Sequence, residues 1–333
     1  MKKFINKPEN YVDEMIKGIL YAHPNKLKCV NNDLKCLTRA YEVREGKVGI
    51  ATGGGSGHLP LFLGYVGEGL IDGASVGNVF ASPSAAQMYE VTKEIDEGRG
   101  VLYLYGNYTG DIMNFDMAAE MADMDGIRVT SVVGNDDVAS SKKGEENKRR
   151  GIAGLVFAYK TAGAYAEEGA DLDEVTRIAQ KTVDNTRTMG VALSPCVIPE
   201  IGKNTFSIGE DEMEIGMGIH GEHGINRGKL LEADEVVNVM MEHIFNDYEY
   251  KREDEVVVLI NGLGSTPLDE LYIVYRRVYE ILQEKGIKIH RKYIGEFATS
   301  MEMAGMSISL LKLDEELKRL IDAPCASPFF MQK

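Results

Sequence analysis

The first half of this chain repeats one pattern that sharply limits what it can fold into: a short apolar run, a polar or glycine-rich loop, then a segment of helical length. The runs are residues 47–51 (KVGIA), 73–80 (GASVGNVF), 101–105 (VLYLY) and 127–134 (IRVTSVVG). Runs this short are buried strands rather than helices, and strands alternating with helices call for a parallel sheet covered on both faces. Residues 59–70 (LPLFLGYVGEGL) are expected to be helical after the first run. Ser82 and Pro83 are expected to cap the next helix, and residues 113–126 to form a third. Met113, Met117 and Met121, spaced by four, are expected on that third helix's buried side.

Beyond a charged stretch at 140–150 (SSKKGEENKRR) come two Ala-rich helical segments, and the pattern changes near residue 188. Strand-like runs at 190–195, 212–220, 255–260, 288–295 and 306–313 then outnumber helices. The expected fold class is α/β: an N-terminal three-layer parallel-sheet domain over 1–187 and a C-terminal two-layer α/β domain over 188–333. The KRR cluster at 148–150 is expected to be a solvated charged face, the alternative being a site for an acidic or phosphorylated partner.

Composition narrows the partners. The chain has 333 residues, 44% hydrophobic and 27% charged, enough for a core that needs no disulfide or metal staple. Its formal net charge of −15 argues against nucleic acid and anionic membrane surfaces, which attract clustered Lys and Arg. No apolar run approaches the roughly 18 residues of a spanning helix. The start (MKKFINKPEN) lacks a leader's apolar region, and Cys29, Cys36, Cys196 and Cys325 form no CxxC pair. A cytoplasmic protein with reduced thiols is expected.

The loops following the expected strands carry the candidate site. In an open parallel sheet they share the carboxyl edge, where ligands bind. Gly55, Ser56, Gly57 and His58 follow the first strand, Ser82 the second, and Asn107 and Asp111 the third. There is no GxxxxGK[ST] loop, and TGGGSGH misses the GxGxxG spacing because His58 stands at the third glycine's place. The glycine run is therefore expected to bring backbone N–H groups close to a ligand in a turn that opens a helix.

His220 ends the run 212–220 (EMEIGMGIH), where Met213, Ile215, Met217 and Ile219 alternate with Glu212, Glu214, Gly216 and Gly218. Period-two alternation places His220 on the open face beside two glycines, with room for a small ligand. The alternative is a strand-end histidine bonded to backbone. His220 and His223 have an HxxH spacing, but no third ligand follows, and no metal site is expected.

GGGSGH, NYTGD and GIHGE in this order, with RRGIAG and NGLGSTP, resemble the substrate-binding subunit of dihydroxyacetone kinases over essentially the whole chain. The resemblance implies that His220 binds a short-chain ketose covalently as a hemiaminal. It implies that His58 is a hydrogen-bonding and acid/base group, and that Asp111 takes the proton of the terminal hydroxyl as it attacks phosphorus. Gly55, Ser56, Gly57 and Ser82 would contact the substrate. No cofactor is expected on this chain; Mg²⁺ and ADP or ATP are expected on a separate helical subunit, which in some members is rephosphorylated by a phosphotransferase-system phosphocarrier. A homodimer is also implied. The chain departs from the family at Leu59 (commonly Glu), Gly106 (often Lys) and His223 (usually Pro). Loss of a charged group and a long side chain near the pocket would enlarge it or alter its polarity, so a four-carbon ketose such as erythrulose, or a related keto-sugar, is expected rather than dihydroxyacetone itself. The competing reading is a ketose-sensing paralogue that acts as a transcriptional coactivator without phosphoryl transfer. A fatty-acid-binding protein of related fold is a third, which would need neither His220 nor Asp111.

Overall fold

A computed structural model describes residues 2–333. The chain divides into two compact units. The first takes residues up to Gly134, Phe157–Thr182 and Leu317–Lys333; the second takes Asn135–Val156 and Val183–Glu316. The units thus differ from a single cut at 187/188. Residues 135–156 fold with later strands because Asp137 bridges Thr188 and the Val138 amide donates to the Thr188 carbonyl at 3.0 Å.

The first unit holds a six-stranded sheet of β1 (Leu27–Val30), β2 (Asp33–Arg39), β3 (Gly49–Ser56), β4 (Gly73–Val79), β5 (Val101–Gly106) and β6 (Val129–Gly134). Its order is β1-β2-β4-β3-β5-β6. The last four strands are mutually parallel, and β1 and β2 add on antiparallel. After α1 (Tyr11–Ala22), the helices are α2 (Ala85–Ile95), α3 (Thr109–Met124), α4 (Leu155–Glu168) and α5 (Leu172–Asp184).

Strand alternation places the helices on opposite faces. Ala51, Val101, Tyr103 and Tyr105 pack with Met88, Val91, Ile95, Phe115 and Ala118 of α2 and α3. On the other face, Thr52 meets the Tyr159 hydroxyl of α4 at 2.8 Å, and Thr130 meets Thr176 of α5 at 2.7 Å. Three layers result, as expected. Each fully buried large apolar side chain adds about 1.5–3 kcal/mol.

Four local expectations are corrected. The glycines of TGGGS lie inside β3, paired with β4, rather than in a turn. They are needed for close approach: a Cβ on Gly54 would fall 2.2 Å from the Phe62 ring, and one on Gly55 would fall 2.7 Å from the Phe80 Cα. Residues 59–70 form only a single 3₁₀ turn, Leu63–Tyr65, because Pro60 and three glycines disfavour a helix. Ser84, not Ser82, caps α2, in a reciprocal capping box with Gln87. Met113 and Met117 are exposed; the buried face of α3 is Asp111, Phe115, Ala118 and Ala122.

The second unit has β7 (Thr186–Ser194), a two-residue ladder of β8 (Val197–Ile198) with β9 (Lys203–Asn204), β10 (Glu212–Ile215), β11 (Asn226–Lys229), β12 (Glu255–Gly262), β13 (Lys288–Gly295) and β14 (Ala304–Lys312). Its main sheet runs β11-β10-β7-β14-β12-β13, antiparallel except between β12 and β13. Met189, Ile215, Val256, Val258 and Ile308 pack beneath α6 (Ala233–Asp247) and α7 (Leu268–Lys285). This is the two-layer α/β unit expected.

The KRR cluster is not a solvated face. Arg149 is fully buried and its guanidinium donates to both carboxylate oxygens of Asp247, which also accepts from Arg187 Nε at 2.5 Å. Arg150 is largely buried as well. Only Lys148 is exposed.

Candidate active site

In the first unit the expected residues gather at the carboxyl edge of the parallel strands. Ser56 ends β3, is buried, and donates its hydroxyl to the Gly77 carbonyl at 2.7 Å. His58 follows the positive-φ Gly57 (102°) and is 2% exposed. Its ring stacks on Phe80 at 4.9 Å and meets the Phe62 ring edge-on at 6.2 Å. Phe62 and Phe80 themselves adopt φ of 67° and 56°. Such conformations are rare for bulky residues and cost on the order of 1–3 kcal/mol each. The imidazole is thereby held in a fixed aromatic slot.

Asp111 lies in the first turn of α3 and is 5% exposed. Ser82 packs against that turn: a Cβ on Gly110 would come within 2.7 Å of its Oγ. Gly55 in turn abuts Phe80 and Ala81. Gly55, His58, the 80–82 segment and the start of α3 therefore form one continuous surface of contacts, built from loops distant in sequence.

His220 belongs to the second unit. The expected strand 212–220 stops at Ile215, because Gly216 turns to φ 82°. His220 sits in the following turn, closed by bonds from the Gly221 amide to the Gly218 carbonyl and from the Gly218 amide to the Glu222 carbonyl, both 3.0 Å. Its side chain is 22% exposed. Glu222 holds it twice: Oε1 lies 3.0 Å from Nδ1, and Oε2 accepts from the His220 amide at 2.9 Å. An ionised carboxylate only accepts, so Nδ1 carries a hydrogen; in the neutral ring the lone pair then lies on Nε2.

Burial would raise the Glu222 carboxyl, but the His220 hydrogen bond and charge and the Arg150 guanidinium outweigh it and hold the group down at about 2. The depressed value means that the contact's contribution is complete above the ordinary value of 4.5 and is lost as pH falls through about 2. Glu222→Gln is therefore expected to show a stability deficit in urea unfolding that is constant near neutral pH and shrinks between 4.5 and 2. A deficit that grows with acidity would contradict this.

Sequence reasoning passed over Glu222 and Arg150 as site residues, although both lie in motifs it singled out, GIHGE and RRGIAG. The signal for Glu222 was a carboxylate two residues from the histidine across a glycine. His223 is 91% exposed beside Glu214. Among the described residues no group of three His, Cys, Asp or Glu side chains is arranged to hold a metal ion. No helix of the described residues is long and apolar enough to cross a membrane.

A sheet-edge histidine slot lies in one α/β unit and a carboxylate-held histidine turn in the other, and the model of the Dak1 domain matches residues 17–329. The chain belongs to the Dak1 family, and its relatives include dihydroxyacetone-binding subunits and erythrulose kinases. It is 48% identical over 330 residues to "PTS-dependent dihydroxyacetone kinase 2, dihydroxyacetone-binding subunit DhaK" of Listeria innocua, covering 99% of each. It superposes on the dihydroxyacetone kinase of C. freundii in complex with AMP-PNP and Mg²⁺ with a TM-score of 0.90 at 30% identity, covering 99% of this chain and 61% of that one. It also superposes on the dihydroxyacetone kinase operon co-activator Dha-DhaQ, with a TM-score of 0.89 at 30% identity over 96% of this chain and 98% of that one.

Proposed function

We propose that this chain holds a short-chain ketose as a hemiaminal on His220 while a separate nucleotide-bearing subunit phosphorylates the ketose's terminal hydroxyl. The observation that carries this reading is the Glu222 carboxylate at 3.0 Å from Nδ1 of a partly exposed imidazole. With Nδ1 protonated, the Nε2 lone pair attacks the keto carbon and the carbonyl π electrons move to oxygen. The ring then carries positive charge, which Glu222 stabilises. Loss of the Nδ1 proton and gain of one by the alkoxide complete a net addition of N–H across C=O. No water is lost.

The resemblance carries to His58 the role of hydrogen-bonding and acid/base group, and to Asp111 that of proton acceptor for the attacking hydroxyl. Burial of both in fixed slots is consistent with those roles. The chain has no phosphate loop of its own, so in this reading Mg²⁺ and ADP or ATP belong to the helical partner, and a phosphotransferase-system phosphocarrier recharges it. A homodimeric cytoplasmic protein belongs to the same proposal.

The kinase reading is supported by the 48% identity to a kinase subunit over 330 residues; among superposed structures the chain is 30% identical to a kinase and to the co-activator alike. Leu59 and Gly106 in place of a family Glu and Lys extend the proposal to a four-carbon ketose as the preferred substrate. Steady-state phosphorylation of three-, four- and five-carbon ketoses, with the partner subunit and donor present, tests both parts. Turnover with kcat/KM highest for the four-carbon sugar is expected. A large preference for dihydroxyacetone would remove the substrate claim, and ketose binding without turnover would favour the coactivator.

A further inference from the structure

Behind the His220 turn lies a second layer of charge, Glu222, Arg150 and Asp137, that the covalent chemistry does not itself require. Arg150 sits at its centre. Its Nε and Nη2 bind the buried Asp137 Oδ2 at 2.9 and 2.8 Å, its Nη2 donates to the Gly216 carbonyl at 3.1 Å, and its Nη1 lies 3.9 Å from Glu222 Oε2. Its amide is bound by the Ser140 hydroxyl at 3.0 Å. Asp137 is fully buried beside Asp136; burial pushes its carboxyl up, which Arg150 and the Ala139 amide oppose. The remaining charges on this turn are His220 and the Glu214–His223 pair, whose Oε1 accepts from the Gly224 amide at 2.7 Å. Gly218 makes the arrangement possible: a Cβ there would fall 2.2 Å from Glu222 Oε2 and 2.3 Å from Arg150 Nη1.

Two features separate this from an ordinary ion pair. Arg150 contacts the backbone carbonyl that precedes the turn and faces the carboxylate that orients the imidazole, so one planar group spans both ends of the His220 loop. It is also anchored by the buried Asp137, so the guanidinium faces Glu222 from a fixed position.

We propose that Arg150, anchored by Asp137, is a positioning residue for His220: it holds Glu222 in place against Nδ1, so that Nε2 is presented to the ketone. This rests on the proposed ketose capture. Removing the guanidinium in Arg150→Gln frees Glu222 to leave Nδ1, so the adduct yield and the Nδ1–H population are expected to fall together. Arg150→Lys retains a charged donor beside Glu222, and both readouts are expected to stay near wild type.

The test follows adduct yield against pH by intact mass, using dihydroxyacetone and erythrulose, in wild type, Arg150→Gln and Arg150→Lys. In parallel, imidazole ¹⁵N shifts of the ligand-free proteins report the His220 tautomer. The Nδ1–H form is expected to dominate in wild type and Arg150→Lys, and to lose population in Arg150→Gln. Unchanged adduct yield and tautomer in folded Arg150→Gln overturn the proposal, as do equal losses at every pH in both variants, which describe a structural role alone. If Arg150→Gln does not fold, Arg150→Lys decides: a lost adduct or a changed tautomer overturns it. Absence of adduct in wild type would remove the capture reading, while the ligand-free ¹⁵N measurement would still decide the role of Arg150.

Discussion

His220→Ala is expected to abolish covalent ketose attachment completely. Incubated with a short-chain ketose and measured without reductant, wild type should gain the whole mass of the sugar, because addition of an imidazole to a ketone expels no water. An imine on a lysine would appear instead as the sugar less one water, so the mass itself distinguishes the two chemistries. The alanine variant keeps the fold, since the histidine is partly exposed and lies in a turn whose backbone bonds between Gly218, Gly221 and Glu222 do not use the ring. A thermal unfolding midpoint close to wild type would establish that. An adduct of unchanged mass and yield in His220→Ala would end the assignment of the nucleophile.

Asp111→Asn is expected to separate binding from transfer. Asparagine has nearly the same shape and hydrogen-bonding reach, so ketose capture should remain. It cannot take up a proton, so kcat with the partner subunit and donor should fall by roughly 10²–10⁴-fold, the usual contribution of a positioned general base, with a small change in KM. The effect is expected mainly in kcat because the proton is transferred only as the hydroxyl attacks. Turnover within twofold of wild type would remove Asp111 from the role of base.

Both predictions concern residues that motif reading placed in advance, but the surroundings were only partly legible. The parallel strands of the first unit were readable because each is a short apolar run flanked by breakers, and the two-layer second unit because of its later strands. The glycine run was misread as a turn. Glycine signals either a positive φ or a close approach, and only the positions of Phe62 and Phe80 show that the second operates at Gly54 and Gly55. The methionines of α3 illustrate the same limit. Met113 and Met117 share a helical spacing with a core stripe, yet Phe115 and Ala118 are the residues that meet the sheet. Spacing identifies a face without saying which way it turns.

The charged residues were hardest. KRR at 148–150 looks like a solvated run, but Arg149 is buried against Asp247 and Arg150 against Asp137. Their partners are 98 residues later and 13 residues earlier in the chain, so no local pattern announces them.

By itself, the order of residues determined the α/β class, the parallel strands of the first unit, most main-sheet strands of the second, and the three motifs of the candidate site, because these depend on periodicity and on residue types that few other roles require. Strands β1, β2 and β11 went unread. Tertiary structure alone decided that residues 135–156 join the second unit, that the glycines admit aromatic rings into a strand's space, and that Glu222 and Arg150 stand behind His220. Those outcomes depend on which distant groups meet after folding, and burial then decides which charges must be paired.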